Sequence, residues 1–347
     1  MIERFTELVK QSPTATEKFI SHCIDVYEIL KKENESEGVC NAGLYNSIYG
    51  TCYLNVTVQT IENDRDLIRS EIGEYAEKLV YEMCSLNNRE VDITKGNFNW
   101  DTQTLVDIVK ICRADLISLE LTKNSNYYIY LYNIMLESLN RGINLFTKSS
   151  VENDIKIMDN IFPHYFHESL FRSTLNSEYN PNHFSNSFSK ERNFTTRFSC
   201  RLSKINFFNM GLFPYIKKIA NEIGQDLFLL NYYIGHYGKS TSSSSHVDTF
   251  DPNCISILIY PNLEWDDLWA GDIKFYNENE DSQFHTVVDF KPGRIVVFNS
   301  NIRHKVMPIS SLAETDRFSI AIKARIFWGL PNYYREDFEN IIHVPCT

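Results

Sequence analysis

Near residue 226 the spacing of apolar side chains changes from a helical repeat to alternation at every second residue. Those two periods bury their apolar faces in different ways and cannot share one regular element. On the N-terminal side, Ile20, Cys23, Ile24, Tyr27 and Leu30 fall on one helical face. So do Ile68, Ile72, Ala76, Leu79, Val80, Met83 and Cys84, and then Leu105, Ile108, Val109, Cys112, Leu116 and Leu119. Thr14 and Glu17 have the spacing of a capping box ahead of the first stripe. Residues 121–150 continue the helical pattern, and SSVEND after them marks a boundary. Helical spacing returns at 161–174 and 211–224, either side of NSEYNPNHFSNSFSKERN, an Asn- and Ser-rich stretch that reads as a long loop.

Beyond residue 226 come DLFLLNYYIG, CISILIY, DIKFY, HTVVDF, RIVVFNS, HKVMPI and RFSIAIKARIF, separated by turn signals such as PN and KPG. Short strands in close succession without intervening helices favour a sandwich or jelly roll over a parallel α/β sheet. A chain of 347 residues also exceeds one comfortable core. The expected fold is therefore α+β in two domains, an all-α domain at 1–150 and a β-rich domain with flanking helices at 151–347.

Several functions are excluded at this stage. A formal charge of -11 argues against a general nucleic-acid binder. The local exception is Lys190, Arg192, Arg197, Arg201, Lys204, Lys217 and Lys218, with Glu191 as the one acid between 190 and 218; such a cluster is most simply a solvated face. The eight cysteines, Cys23, Cys40, Cys52, Cys84, Cys112, Cys200, Cys254 and Cys346, form no C-x-x-C pair. Several sit on apolar helical stripes as small hydrophobes, which fits a reducing compartment. The start, MIERFTELVK, is charged throughout and has no signal-peptide core. No run reaches the roughly 20 apolar residues of a membrane span. The expectation is a cytoplasmic protein without a membrane partner.

The chemistry is concentrated after the serine run in SSSSHVDTF. In an extended chain residues i and i+2 face one side, so His246 and Asp248 can present an imidazole and a carboxylate to one point. His304, 56 residues beyond Asp248, opens HKVMPI. Two histidines and a carboxylate make the facial triad of non-haem Fe(II) oxygenases, with positions left open for cosubstrate and oxygen. Arg317, thirteen residues after His304, has the planar fork that suits a carboxylate, and Ser319 shares its strand face. His236, His285 and His343 are read as ordinary surface or core histidines.

With these residues in place, the chain resembles the Fe(II)- and 2-oxoglutarate-dependent dioxygenases, and within them the prolyl 4-hydroxylase-like branch. The resemblance covers roughly 155–330. It is carried by H-V-D, His304 and R-F-S together with IFPHYFHESLFRSTL, YIGHYG, LIYPNLEW, WAGDIKFY and KPGRIVVFNSNIRHKV. It implies a double-stranded β-helix, or jelly roll, with His246, Asp248 and His304 as metal ligands. Arg317 and Ser319 would hold the far carboxylate of 2-oxoglutarate, and Tyr233 and Tyr260 would line its pocket, although both tyrosines also read as core aromatics. The implied cofactors are Fe(II), 2-oxoglutarate and O2, with ascorbate as an added reductant. Asp272 departs from the branch, which usually has a second glycine after Gly271, and this puts local strand packing or substrate contacts in doubt. Related halogenases replace the triad carboxylate by a small residue, so the retained Asp248 implies hydroxylation.

The segment VCNAGLYNSIYGTCYL, with His22 before it and CRADLISLE after it, resembles a family of helical domains related to HD-type modules. That family usually has a histidine where Asn46 stands, which weakens a phosphohydrolase reading. His22, Asp25 and Asp115 are read as residual polar residues rather than ligands, and the domain as a degenerate, non-catalytic module for substrate recognition, dimerisation or support.

The leading expectation is a hydroxylase acting on an unactivated C–H of an amino acid, a peptidyl residue or a biosynthetic intermediate, with release of succinate and CO2. The alternatives are a desaturase or cyclase on the same iron centre, a catalytically silent binding or sensing module, and a phosphohydrolase carrying an oxygenase accessory. The expected partners are small-molecule, amino-acid or peptide substrates and no nucleic acid, and a homodimer is compatible with the sequence.

Overall fold

The computed structural model describes residues 1–10, 16–50, 65–119, 123–142, 155–181, 198–251, 253–276, 284–326 and 338–346. Two compact units emerge, Met1–Thr147 and Lys148–Phe327, the second joined by Glu339–Thr347. SSVEND, Cys52, Lys190, Arg192, Arg197 and most of the long loop lie outside the described residues.

The first unit is helical: α1 (Ile2–Lys10), α2 (Glu17–Lys32), α3 (Glu37–Leu44), α4 (Arg65–Ile72), α5 (Glu74–Cys84), α6 (Arg89–Lys95), α7 (Thr102–Ser118) and α8 (Lys123–Asn140). The stripe of α2 buries Phe19, Ile20, Cys23, Val26, Tyr27 and Leu30. That of α7 buries Leu105, Ile108, Val109, Cys112 and Leu116, while Leu119 lies past the helix end and is exposed. The N-cap of α2 is Thr16, whose Oγ1 accepts from Phe19 N at 3.1 Å. Glu17 is thus the first helical residue and cannot be the third-position acid of a capping box; Thr14 lies outside the described residues.

The second unit combines helices with two antiparallel sheets. Its helices include α9 (His164–Leu175), Lys204–Asn209 and Phe213–Ile223. The strands are β1 (Lys156–Met158), β2 (Asn180–Pro181), β3 (Phe198–Arg201), β4 (Leu227–Tyr237), β5 (Cys254–Ile259), β6 (Ile273–Tyr276), β7 (Phe284–Val288), β8 (Ile295–Asn299), β9 (His304–Val306), β10 (Arg317–Arg325) and β11 (Ile342–Val344). The larger sheet has the order β1-β8-β5-β10-β4-β3-β2, with β11 also on β4. The smaller has the order β7-β6-β9. An isolated bridge between His246 and His304 adds the serine segment beside β9.

The register decides which side chains share a face. Arg317 lies opposite Tyr237, Ser319 opposite Gly235, and Ala321 opposite both Tyr233 and Leu258. Lys323 lies opposite Asn231 and Ser256, and Ser256 in turn opposite Phe298. Cross-strand partners project to the same side. Arg317, Ser319, Lys323, Tyr233, Tyr237, Ser256 and Phe298 therefore share one face of the larger sheet. An apolar cluster of Tyr260, Ile273, Phe275, Val288, Phe290, Val296 and Phe298 takes residues from both sheets. No described helix is long and apolar enough to cross a membrane.

Candidate active site

His246 and His304 are set by reciprocal backbone hydrogen bonds, His246 N to His304 O at 3.0 Å and His304 N to His246 O at 2.9 Å. Each ring is then turned by its own neighbourhood: Nδ1 of His246 donates to the Ser244 carbonyl at 2.8 Å, and Nδ1 of His304 to that of Ile302 at 2.9 Å. A carbonyl only accepts, so in the neutral rings the lone pair sits on Nε2. Those Nε2 atoms approach Asp248, His246 at 3.9 Å from Oδ1 and His304 at 3.9 Å from Oδ2. One donor atom from each of the three residues lies within 4.8 Å of the others, a group that could hold a metal ion. Phe298 closes edge-on against His304, with ring centroids 4.9 Å apart.

Asp248 is held from several sides. Its N–H donates to Ser300 O at 2.9 Å. Its Oδ2 accepts from Ser256 Oγ at 2.5 Å, and that hydroxyl is also 2.8 Å from Ser300 Oγ. Lys323 Nζ stands 3.1 Å from Oδ1. Burial opposes the charge of this carboxyl, yet Lys323 and the two histidines prevail and keep its pKa well below the ordinary range.

Arg317 is fully buried, and Nε, NH1 and NH2 have no hydrogen-bond partner among the described residues. The guanidinium lies among aromatic rings instead, 4.8 Å from the Phe290 centroid, 4.9 Å from Tyr260 and 5.3 Å from Tyr237. The Tyr260 hydroxyl falls outside hydrogen-bond geometry with the described residues but faces this guanidinium, whose charge opposes the rise that burial gives the phenol pKa. Desolvating a lone cation costs several kcal/mol, whereas cation–π contacts return about 2 kcal/mol when dry. The difference favours a bound anion, and a carboxylate matches the fork. Ser319 and Tyr233 are buried on the same face, Tyr233 nearer the Asp248 end of the strand.

Residues 230–323 match the family model of the 2OG-Fe(II) oxygenase superfamily. The chain carries a 2OG-Fe(II) oxygenase domain. It is a dioxygenase, and the superfamily implies Fe(II), 2-oxoglutarate and O2. Residues 6–88 match a domain of unknown function, DUF6817. No curated protein matches. Among solved structures, the oxygenase domain is similar to a 2OG-Fe(II) oxygenase family oxidoreductase from Burkholderia pseudomallei, at 11% identity and TM-score 0.41, covering 50% of this chain and 86% of that one. It is also similar to a prolyl hydroxylase from Trichoplax adhaerens, solved with a hypoxia inducible factor peptide, at 15% identity and TM-score 0.39, covering 59% and 90%. A Pseudomonas putida prolyl-4-hydroxylase gives 16% identity and TM-score 0.38 over 50% and 92%.

Four residues of the oxygenase domain were not anticipated. Lys323 follows Arg317 by six in a strand of period two, so its face was readable from R-F-S-I-A-I-K; Tyr237 likewise follows Tyr233 by four. Ser256 was signalled by a lone hydroxyl within an isoleucine-rich run. Phe290 reaches Arg317 only through the pairing of sheets and had no local signal. Asp272 accepts from Phe290 N at 3.3 Å, and its carbonyl accepts from Met307 N at 2.8 Å. His236 and His343 pair with Asp316 at 2.6 Å and Asp226 at 2.7 Å, and His285 is exposed on β7. Lys204 donates to the carbonyls of Glu339 and Ile341.

In the helical unit the polar residues converge without forming a metal group. Asp115 accepts from His22 Nε2 at 2.9 Å and from Asn46 Nδ2 at 3.1 Å, and Arg89 NH1 stands 3.7 Å from its other oxygen. Burial opposes its charge, but His22 and Arg89 outweigh that and hold the carboxyl below its ordinary pKa. Asp25 is exposed and takes no part. Among the described residues only His246, Asp248 and His304 form a candidate metal group.

Proposed function

We propose that residues 151–347 form a jelly-roll oxygenase that hydroxylates an unactivated C–H of an amino acid, a peptidyl residue or a biosynthetic intermediate, with succinate and CO2 as co-products. His246, Asp248 and His304 would hold Fe(II) through Nε2 and the carboxylate. Arg317, with Ser319 and the Tyr260 hydroxyl, would hold the distal carboxylate of 2-oxoglutarate, with Tyr233 along the same wall. The observation that carries this reading is the fully buried guanidinium, without a hydrogen-bonding partner among the described residues, on the sheet face that also bears the Asp248 contacts.

When bound, iron supplies the redox chemistry with O2 that cleaves 2-oxoglutarate and oxidises the substrate. The chain's own part is orientation and dryness. The carbonyls of Ser244 and Ile302 fix the two imidazole tautomers, and Ser256 fixes the carboxylate rotamer. Phe275 and Phe298 exclude water beside His304. The helical unit, 1–150, is read as a degenerate HD-like module without catalysis of its own, because the Arg89 guanidinium already compensates the Asp115 charge. The protein is further read as cytoplasmic.

The deciding experiment is anaerobic binding of Fe(II) and 2-oxoglutarate, followed by an aerobic screen of amino acids and peptides for substrate-stimulated succinate release by mass spectrometry. A product heavier by one oxygen atom supports hydroxylation, and one lighter by two hydrogens replaces it with desaturation. Turnover that survives Asp248→Ala would overturn the metal assignment.

A further inference from the structure

Among the described residues the Lys323 ammonium is the cation nearest the Asp248 carboxylate. Its Nζ is 3.1 Å from Oδ1 and donates to the Asp248 backbone carbonyl at 3.3 Å, so the lysine grips the residue at both ends. Its side chain is 16% exposed and that of Asp248 8%. The neighbouring charge, Arg325, is committed to Asp251. The placement follows from the sheet: Lys323 lies opposite Ser256 on β5, and Ser256 donates to the other carboxylate oxygen. Asp248 is thereby clasped between a neutral donor on Oδ2 and a cation on Oδ1.

A neutral donor and a cation act differently on a metal ligand. A hydroxyl orients the carboxylate at no electrostatic cost to an arriving dication. An ammonium orients it as well, but it already neutralises the charge that the dication needs, and it repels that dication afterwards. Without metal, the same ammonium relieves the burial of the carboxylate. The effects on the two states have opposite signs.

Resting on the triad assignment above, we propose that Lys323 is a positioning residue and built-in counter-ion of the centre, which stabilises the metal-free site and competes with the metal for Asp248. One neighbouring charge commonly moves a buried ionic equilibrium by about tenfold or more. Removing it therefore outweighs the lost orientation, because Ser256 still holds the second oxygen.

The test uses the full chain, stripped with a chelator and titrated with Co(II) followed by visible absorption, with no turnover needed. Lys323→Met is expected to bind Co(II) at least about tenfold more tightly than the parent, while its metal-free form melts at a lower temperature. Lys323→Arg, which keeps the charge, should retain the parent's affinity and melting temperature. Should Lys323→Met fail to fold, Lys323→Gln keeps a donor to Oδ1 without charge and must show the same tightening. Equal or weaker Co(II) binding in the neutral variants overturns the proposal, as does an unchanged melting temperature of the metal-free form. Loss of 2-oxoglutarate affinity with unchanged Co(II) affinity also overturns it and makes the lysine an anion anchor. A parent chain that binds no Co(II) sinks the triad assignment itself, an outcome separate from the others.

Discussion

Arg317 shows how much one residue can impose on its surroundings. Three guanidinium nitrogens lie buried among aromatic rings without hydrogen-bond partners among the described residues, and on the proposed reading they hold a carboxylate. A hydrogen bond to a charged group contributes about 1.5–3 kcal/mol. Arg317→Met should therefore raise the KM for 2-oxoglutarate by roughly 10- to 100-fold, measured as succinate formation against cosubstrate concentration, with Co(II) affinity unchanged. Ser256→Ala separates the other half of the site. Loss of its 2.5 Å bond to Asp248 should weaken Co(II) binding by about 10-fold or more while the cosubstrate dependence stays put. A coupled loss in both variants would count against two distinct subsites.

At the scale of elements, two glycines mark where pieces of structure approach too closely for a side chain. Gly271 precedes β6 with φ +85°, and a Cβ there would lie 3.2 Å from Arg317 Cδ and 3.3 Å from Trp265 Cζ2. Gly271→Ala combines left-handed strain of about 1–2 kcal/mol with a push on the guanidinium. It should lower the melting temperature and raise the KM for 2-oxoglutarate together; a stability loss with an unchanged KM would show that the arginine's position does not depend on this contact. Gly43 lies where α3 crosses α2, and a Cβ would meet Leu30 Cδ1 at 2.3 Å and Val26 Cγ1 at 3.3 Å. Gly43→Ala should destabilise by about 1–3 kcal/mol in chemical denaturation, with no effect on metal or cosubstrate binding.

For the whole molecule, acid is the informative perturbation, because each unit holds a carboxylate whose pKa is depressed. Asp115 is depressed against its burial by His22 and Arg89, and Asp159 by the hydrogen bonds and charge of Arg294. A carboxyl with a folded pKa below its unfolded value of about 3.9 stabilises fully above that value. The contribution is lost as pH falls through the folded pKa. Denaturation midpoints should hold steady between neutrality and about pH 5 and decline below about pH 4. Asp115→Asn should flatten part of that decline; an unchanged acid slope would show that the cluster contributes nothing to acid sensitivity. How far the sequence reached follows from the same physics. Periodicity is a local property, so the helical stripes, the strand run and the i, i+2 placement of His246 with Asp248 and of Arg317 with Ser319 were legible directly. The Thr16 cap was missed because Thr and Glu recur at capping distances by chance. Lys323 on Asp248, Phe290 on Arg317 and Arg89 on Asp115 are contacts across strands or helices. Strand order and helix packing decide such contacts, because burial in the folded chain turns a distant charge or ring into a neighbour.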